Sequence, residues 1–351
     1  MKHLFFVAGA AATGFAFPSF AGTLSATELL NQFSIITTGN LDTNQDNYGR
    51  AYVGGDLNVT QGKADFANRP LPPSHHPDLI VEGNMTGGAV RVGNGGTAMA
   101  VRGNVTSSEL QFGNVQNGDV LIGGSLSAST LINNRERADF DGIRVQQHLT
   151  GMADFDALFP DDVGGVLEAA SRQLSGMGGT TTAQVTGGGN TLTISATGGG
   201  ITVANLDIAD LGGNVGQISI ALGAADTLVV NVAGTDVTIL DNILGLQDSD
   251  GQRIIWNFYE ASRLDLQRKI IGSILAPKAH LTNSTAIEGS IFAQSATLRG
   301  QVHLQPFAGE APPAAVPLPA GLPLLAAALT LLTLVARSHR AERRPVAVSR
   351  M

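Results

Sequence analysis

Glycine recurs in this chain at the bend between two short apolar runs, and that recurrence sets the fold. Four stretches share one plan: Ala51-Tyr52-Val53-Gly54-Gly55-Asp56-Leu57-Asn58-Val59, Leu79-Ile80-Val81-Glu82-Gly83-Asn84-Met85-Thr86, Met99-Ala100-Val101-Arg102-Gly103-Asn104-Val105-Thr106 and Val120-Leu121-Ile122-Gly123-Gly124-Ser125-Leu126-Ser127. Each has an apolar strand, a glycine, a small polar residue and a second short strand. Glycines 55, 83, 103 and 124 are 28, 20 and 21 residues apart. Ile271-Gly272-Ser273-Ile274 and Glu288-Gly289-Ser290-Ile291 repeat the idea 17 residues apart. One strand–turn–strand unit per 20 or so residues implies the stacked coils of a β-solenoid. Glycine allows a tight bend and close backbone stacking, and Asn tolerates left-handed turns. The expectation is a mostly β chain, a right-handed β-helix-like solenoid with a flanking α-helix. An antiparallel β-sandwich with glycine in its hairpins is the alternative.

Two helices are expected. Ser25-Ala26-Thr27-Glu28 is a capping box leading into Leu29, Leu30 and Phe33. Asp161 or Asp162 caps a second, over about 162–177. Its Val163, Val166, Leu167, Ala170, Leu174 and Met177 form an apolar stripe, and Gly178-Gly179 ends it. From 180 to 240 the pattern is β again, with Gly187-Gly188-Gly189 and Gly198-Gly199-Gly200 as turns.

Both ends carry targeting patterns. Lys2 precedes an apolar run over 4–17, and Ser19 and Ala21 are small residues at the −3 and −1 positions of a cleavage site. This reads as a secretory signal peptide over 1–21. At the other end Val316-Pro317-Leu318-Pro319-Ala320 precedes an apolar run over 321–336 and a basic cluster of Arg337, Arg340, Arg343 and Arg344. Counted from Ala314 to Ala336 the run has 23 residues, enough to span a ~30 Å hydrocarbon core. The arginines would hold the C-terminal end in the cytoplasm. The tail resembles the VPLPA variant of the PEP-CTERM sorting signals. That resemblance implies a precursor anchored in the inner membrane, an exosortase-type sorting protease as partner, and a mature protein in the cell envelope, at the surface or in an extracellular matrix. It departs from the family in its polar end over 345–351. The working β domain then covers 22–309, with a Pro/Ala linker over 310–315 and the sorting segment over 316–344.

The chain has no cysteine, so a core alone must stabilise it. Without the two ends, 15 basic and 28 acidic residues remain, a net charge of −13. An acidic domain poor in aromatic residues argues against nucleic acid as a partner.

Several body segments resemble the choice-of-anchor A domain, a secreted bacterial module. They are Leu30-Asn31-Gln32-Phe33-Ser34-Ile35-Ile36, Tyr48-Gly49-Arg50-Ala51-Tyr52-Val53-Gly54-Gly55-Asp56, Ile254-Ile255-Trp256-Asn257-Phe258, Gly272-Ser273-Ile274-Leu275-Ala276-Pro277-Lys278-Ala279 and Ile287-Glu288-Gly289-Ser290-Ile291. They bracket 28–308. The resemblance implies an anchored, surface-exposed structural or adhesive module and brings no catalytic residue. The last two segments are also similar to β-solenoid ice-binding proteins, where a helix runs beside the coils.

Enzyme motifs are missing: no Gly-x-Ser-x-Gly elbow, no His-Glu-x-x-His, no phosphate loop and no dinucleotide fingerprint. The reading is therefore not an enzyme, with no cofactor. Asp42-Thr43-Asn44-Gln45-Asp46-Asn47 begins like a calcium loop, but Asn47 stands where glycine is wanted and Val53 where an acid is wanted, so a solvated loop is expected. Asp248-Ser249-Asp250-Gly251 reads as a turn, and His75-His76-Pro77-Asp78 as a surface loop without a third metal ligand. His280 and His303 are expected on strand faces. Trp256 and Phe258 alternate on a strand, so one face should hold both in the core rather than as a sugar platform. Thr180-Thr181-Thr182, Thr191 and Thr193 raise ice binding, yet no sustained threonine ladder is visible. The reading is an exported, C-terminally anchored surface or matrix protein with a structural or adhesive role. The alternatives are a module binding extracellular polysaccharide or ice, and a hydrolase of matrix polymers.

Overall fold

The bend glycines stand in a column. In the computed structural model, which describes residues 24–93, 99–112, 119–133, 143–181, 183–186, 189–196, 198–211 and 215–310, Gly55 N–H donates to Gly39 O at 3.0 Å. Gly83 bonds likewise to Gly55 at 2.9 Å, Gly103 to Gly83 at 2.9 Å and Gly124 to Gly103 at 3.0 Å. A Cβ on Gly83 would lie 2.6 Å from Gly55 O, and one on Gly103 would lie 2.5 Å from Gly83 O. Only glycine admits that approach. Gly272 and Gly289 also stack, but at another corner: they precede the strands Ser273–Asn283 and Ile291–Leu298 instead of following them.

Stacking makes a three-faced parallel solenoid. The first face is a ladder of eleven strands. Phe33–Thr37, Arg50–Val53, Leu79–Val81, Met99–Val101, Asp119–Ile122 and Arg144–Gln146 follow one another in chain order. Ile201–Asp207, Thr227–Ala233, Ile254–Asn257, Ser273–Asn283 and Ile291–Leu298 form the rest. The halves meet where the last strand pairs with the first, Ile35 opposite Ile291 and Thr37 opposite Ala293. Ser290 Oγ donates to Leu30 O at 2.7 Å and Asn31 Nδ2 to Phe307 O at 3.0 Å across this seam. Pairing is parallel except between Ala183–Thr186 and Thr191–Ser195 among the described residues. That overturns the sandwich alternative, which needs antiparallel pairing.

Inward residues of the coils form one core, in which Trp256 and Phe258 are wholly buried with rings 6.4 Å apart. Trp256 Nε1 donates to Ile271 O at 3.0 Å, satisfying its one polar atom.

Helices cover the outer side of the first face. Helix α1, Ala26–Gln32, starts at the expected capping box, with Ser25 N–H bonded to Glu28 Oε2 at 2.8 Å. The short α2, Ala153–Asp156, is tied down by Arg102, which bonds Asp156 at 2.5 Å and Glu82 at 2.6 Å. Helix α3, Val163–Ser175, starts at Asp162 and ends at Gly176, two residues before the expected glycine pair. Val163, Leu167, Ala170 and Leu174 are buried in the cluster that holds Ile36, Val229, Ile255, Leu275 and Phe292. Asn205, Asn231 and Asn257 stack on successive coils and donate to the carbonyls of Met177, Leu174 and Ser171 at 3.3, 2.8 and 2.9 Å. The last turn of the helix and Met177 just beyond it are thereby bonded to three coils.

Gly103→Ala should cost about 2 kcal/mol or more, because its Cβ meets fixed backbone, whereas Gly178→Ala meets nothing within 4 Å and should be near neutral. Asn257→Leu takes the partner from Ser171 Oγ and from Asn231 Oδ1 in the core and should cost roughly 3 kcal/mol. Urea unfolding of the three variants checks all of this; a neutral Gly103→Ala would contradict the column.

Candidate ligand-contacting face

The second face is open and polar. Its strands lie at Asp236–Ile239, Arg263–Leu266, the second halves of Ser273–Asn283 and Ile291–Leu298, Leu41–Thr43, and the first parts of Leu57–Phe66 and Met85–Val92. Single bridges at Val105 and Leu126 extend it. Alternate residues point inward, so two rows face outward. One row runs Asp236, Arg263, His280, Ser295, Asn40, Asp56, Asn84, Asn104, Ser125. The other runs Thr238, Asp265, Thr282, Thr297, Asp42, Asn58, Thr86, Thr106, Ser127. Every member is polar, and the rungs follow the ~4.8 Å strand spacing.

The rows order themselves. The small polar residue after three of the bend glycines accepts the backbone N–H of the next coil: Asn84 N to Asp56 Oδ1 at 2.7 Å, Asn104 N to Asn84 Oδ1 at 2.9 Å and Ser125 N to Asn104 Oδ1 at 2.9 Å. In the second row Thr282 Oγ1 donates to Asp265 Oδ1 at 2.7 Å, Asn58 Nδ2 to Asp42 Oδ1 at 3.0 Å and Thr86 Oγ1 to Asn58 Oδ1 at 3.3 Å. His280 Nδ1 lies 2.9 Å from Ser295 Oγ, and Arg263 pairs with Asp236 at 2.6 Å. Five threonines thus stand in one row. They are scattered in sequence because the two halves of the chain supply them.

The residues singled out from sequence distribute differently. The third face includes the ladders of Thr191–Ser195, Gln217–Ala221 and Asn242–Leu244 and of Ile270–Ile271, Ile287–Glu288 and Val302–His303. Thr180 and Thr181 bond backbone beside Val203 and Ser195, Thr191 and Thr193 lie on the first of these strands, and Thr182 is outside the described residues. The calcium-like segment is not one loop: Asp42 is on the open face, whereas Asn47 is buried at a third-face bridge beyond the corner. The stretch at Asp248 is part of a 3-10 helix, Asp248–Arg253, with Asp248 paired to Lys269 at 2.7 Å and Asp250 to Arg253 at 3.2 Å. His303 is on the third face, 2.7 Å from Glu288 Oε1 and stacked on Tyr48. Among the described residues no three His, Asp or Glu side chains form a group able to hold a metal ion. No described helix is long and apolar enough to cross a membrane. Ser19, Ala21, residues 316–320 and Arg337, Arg340, Arg343 and Arg344 lie outside the described residues.

The segment around His76 is more than a surface loop. Its ring lies 5.8 Å from Phe33 and 3.3 Å from Leu158 O, and burial lowers its pKa. Asp78, 1% exposed, faces Arg50 at 3.4 Å, and Arg50 donates to Pro72 O at 2.7 Å. Polar side chains here pack the loop inward, which hydropathy does not reveal.

A family model described as "Putative Ice-binding-like adhesive domain" matches residues 26–304, from α1 to the end of the last coil. No curated protein and no solved structure matches significantly. The chain belongs to that adhesive family, which supports a surface adhesive or ligand-binding role and suggests a non-enzymatic one.

Burial pushes the Asp78 carboxyl up to about 6, against the pull of Arg50. In the unfolded chain it titrates near ~3.9, so the folded state binds the proton more tightly. Stability from this group therefore falls as pH rises from about 4 to about 6 and is level above. Relative to the native protein, Asp78→Asn should gain roughly 3 kcal/mol between about pH 4 and pH 7. Urea unfolding at both pH values measures it, and a pH-independent difference would mean an ordinary carboxyl.

Proposed function

We propose that this member of the ice-binding-like adhesive family is exported, anchored through its C-terminal tail and used as a rigid adhesive module at the cell surface or in the extracellular matrix. The observation that carries the reading is the pair of uninterrupted polar rows on a face that, among the described residues, no other element covers. The opposite requirement, a sealed hydrophobic face, is met by α1 and α3 on another side. The module works by contact: the coils hold side chains in rows, and the rows meet a partner. The charged tail and the signal-like N-terminus supply the route, with an exosortase-type protease acting at residues 316–320. The choice-of-anchor A resemblance over 28–308 agrees in extent with the family match over 26–304.

A second reading, ice, draws on the threonines of the second row. Asp42 and Asp265 interrupt that row, and each carboxylate organises its own hydration shell, which disfavours an ice-like layer.

Deleting the gene should reduce cell attachment to glycan-coated surfaces several-fold, with full-length complementation restoring it. Mass spectrometry of surface and secreted fractions should find a C-terminal peptide ending within 316–321. Intact attachment in the deletion strain would sink the adhesive reading. A protein still carrying residues 337–351 would replace sorting with a plain membrane tether.

A further inference from the structure

We propose that the polar face docks a linear amino-sugar glycan, whose repeating units carry free amines among their hydroxyls. The proposal rests on the adhesive reading and names the partner.

Charge selects the class. The two rows hold four carboxylates, Asp42, Asp56, Asp236 and Asp265, against one guanidinium, Arg263, which is already paired with Asp236. The expected working domain over 22–309 is itself strongly acidic, so a glycan bearing carboxylates or sulfates is repelled and a cationic one is drawn in. The rows contain no Phe, Tyr or Trp, so the sugar-ring stacking that usually holds neutral glycans is missing. Recognition must come from hydrogen bonds and charge, which favours amines over acetylated sugars.

Geometry makes the carboxylates usable. The hydrogen bonds that fix Asp42 and Asp56 fall on Oδ1 of each. Among the described residues Oδ2 of each is left for a ligand amine. Because the internal bonds already hold these side chains, little further ordering is needed on binding. The carboxylates form two pairs on adjacent coils, Asp236 with Asp265 and Asp42 with Asp56, and at ~4.8 Å per rung the pairs lie four coils or about 19 Å apart, close to two disaccharide repeats of an extended β-linked glycan. A polymer along the solenoid axis can therefore repeat its contacts and gain avidity.

The test measures binding of the purified full-length protein to chitosan beads at physiological salt, with chitin and alginate beads as comparisons. Chitosan should retain the protein, and chitin and alginate should not. Asp42→Asn/Asp56→Asn, which keeps every Oδ1 acceptor, should weaken retention tenfold or more. The control Asp161→Asn/Glu310→Gln makes the same charge change at exposed sites outside the rows and should weaken it less than twofold. Thr297→Tyr, placing bulk mid-row, should abolish retention with an unchanged melting temperature. Equal losses in the two double variants would reduce the effect to bulk charge and overturn the site. Retention on chitin equal to that on chitosan would overturn the amine requirement. Ice recrystallisation inhibition that Thr297→Tyr removes would replace the glycan with ice. If chitosan is not bound while gene deletion still impairs attachment, the aminoglycan falls and the adhesive reading stands.

Discussion

The parallel pairing of Ile291–Leu298 with Phe33–Thr37 is the contact on which the rest depends. From α1 and Phe33–Thr37 in the middle of the solenoid the chain builds outward to Arg144–Gln146, and returns along the first face as α3. It then builds again from Ile201–Asp207 back toward its start. Without the seam, each half would end in an unpaired strand edge, a template for association with other chains. The seam also joins residues more than 250 positions apart, as in Ser290 to Leu30 and Gln301 to Asp46. Bringing such distant residues together carries a loop-closure entropy that grows only slowly with the length of chain between them.

The returning helix makes this arrangement specific. Its apolar stripe alone could slide along a row of similar coils, since Val203, Val229 and Ile255 present nearly the same surface. The asparagines of three coils set the register instead, because each meets a particular carbonyl of the helix end. An off-register helix would bury unpaired amides, each costing about 1–3 kcal/mol. Polar groups here decide position, while apolar area supplies most of the attraction.

The same stacking that forms the core creates the open face. A residue that caps the next coil must be short and must accept a hydrogen bond, so Asp56, Asn84 and Asn104 follow their bend glycines. Structural need thus populates one row with acceptors. The second row is under no such backbone demand, yet it too is polar throughout, and a solvent-exposed sheet face that repeats over nine coils is what a repeating partner can meet. Both rows mix residues from the two halves, with His280 and Ser295 from one and Asn40 and Asp56 from the other.

Much of this was legible beforehand. The glycine spacing carried the solenoid, the capping box carried α1, the stripe over 163–174 carried α3, and alternation placed Trp256 and Phe258 inside. The open face was not legible, and the threonines noticed in sequence, at 180, 181, 191 and 193, lie off it. The buried Arg50–Asp78 pair was equally hidden, since the proline-rich stretch that ends at Asp78 reads as a surface loop. What the sequence alone determined is local: where the chain bends, which residues alternate, where helices begin. Those depend on backbone sterics and on neighbours a few positions away. The tertiary structure decided which coil lies beside which, and so which polar residues share a face. That depends on hydrogen bonds between strands far apart in the chain, which no spacing within either half reveals.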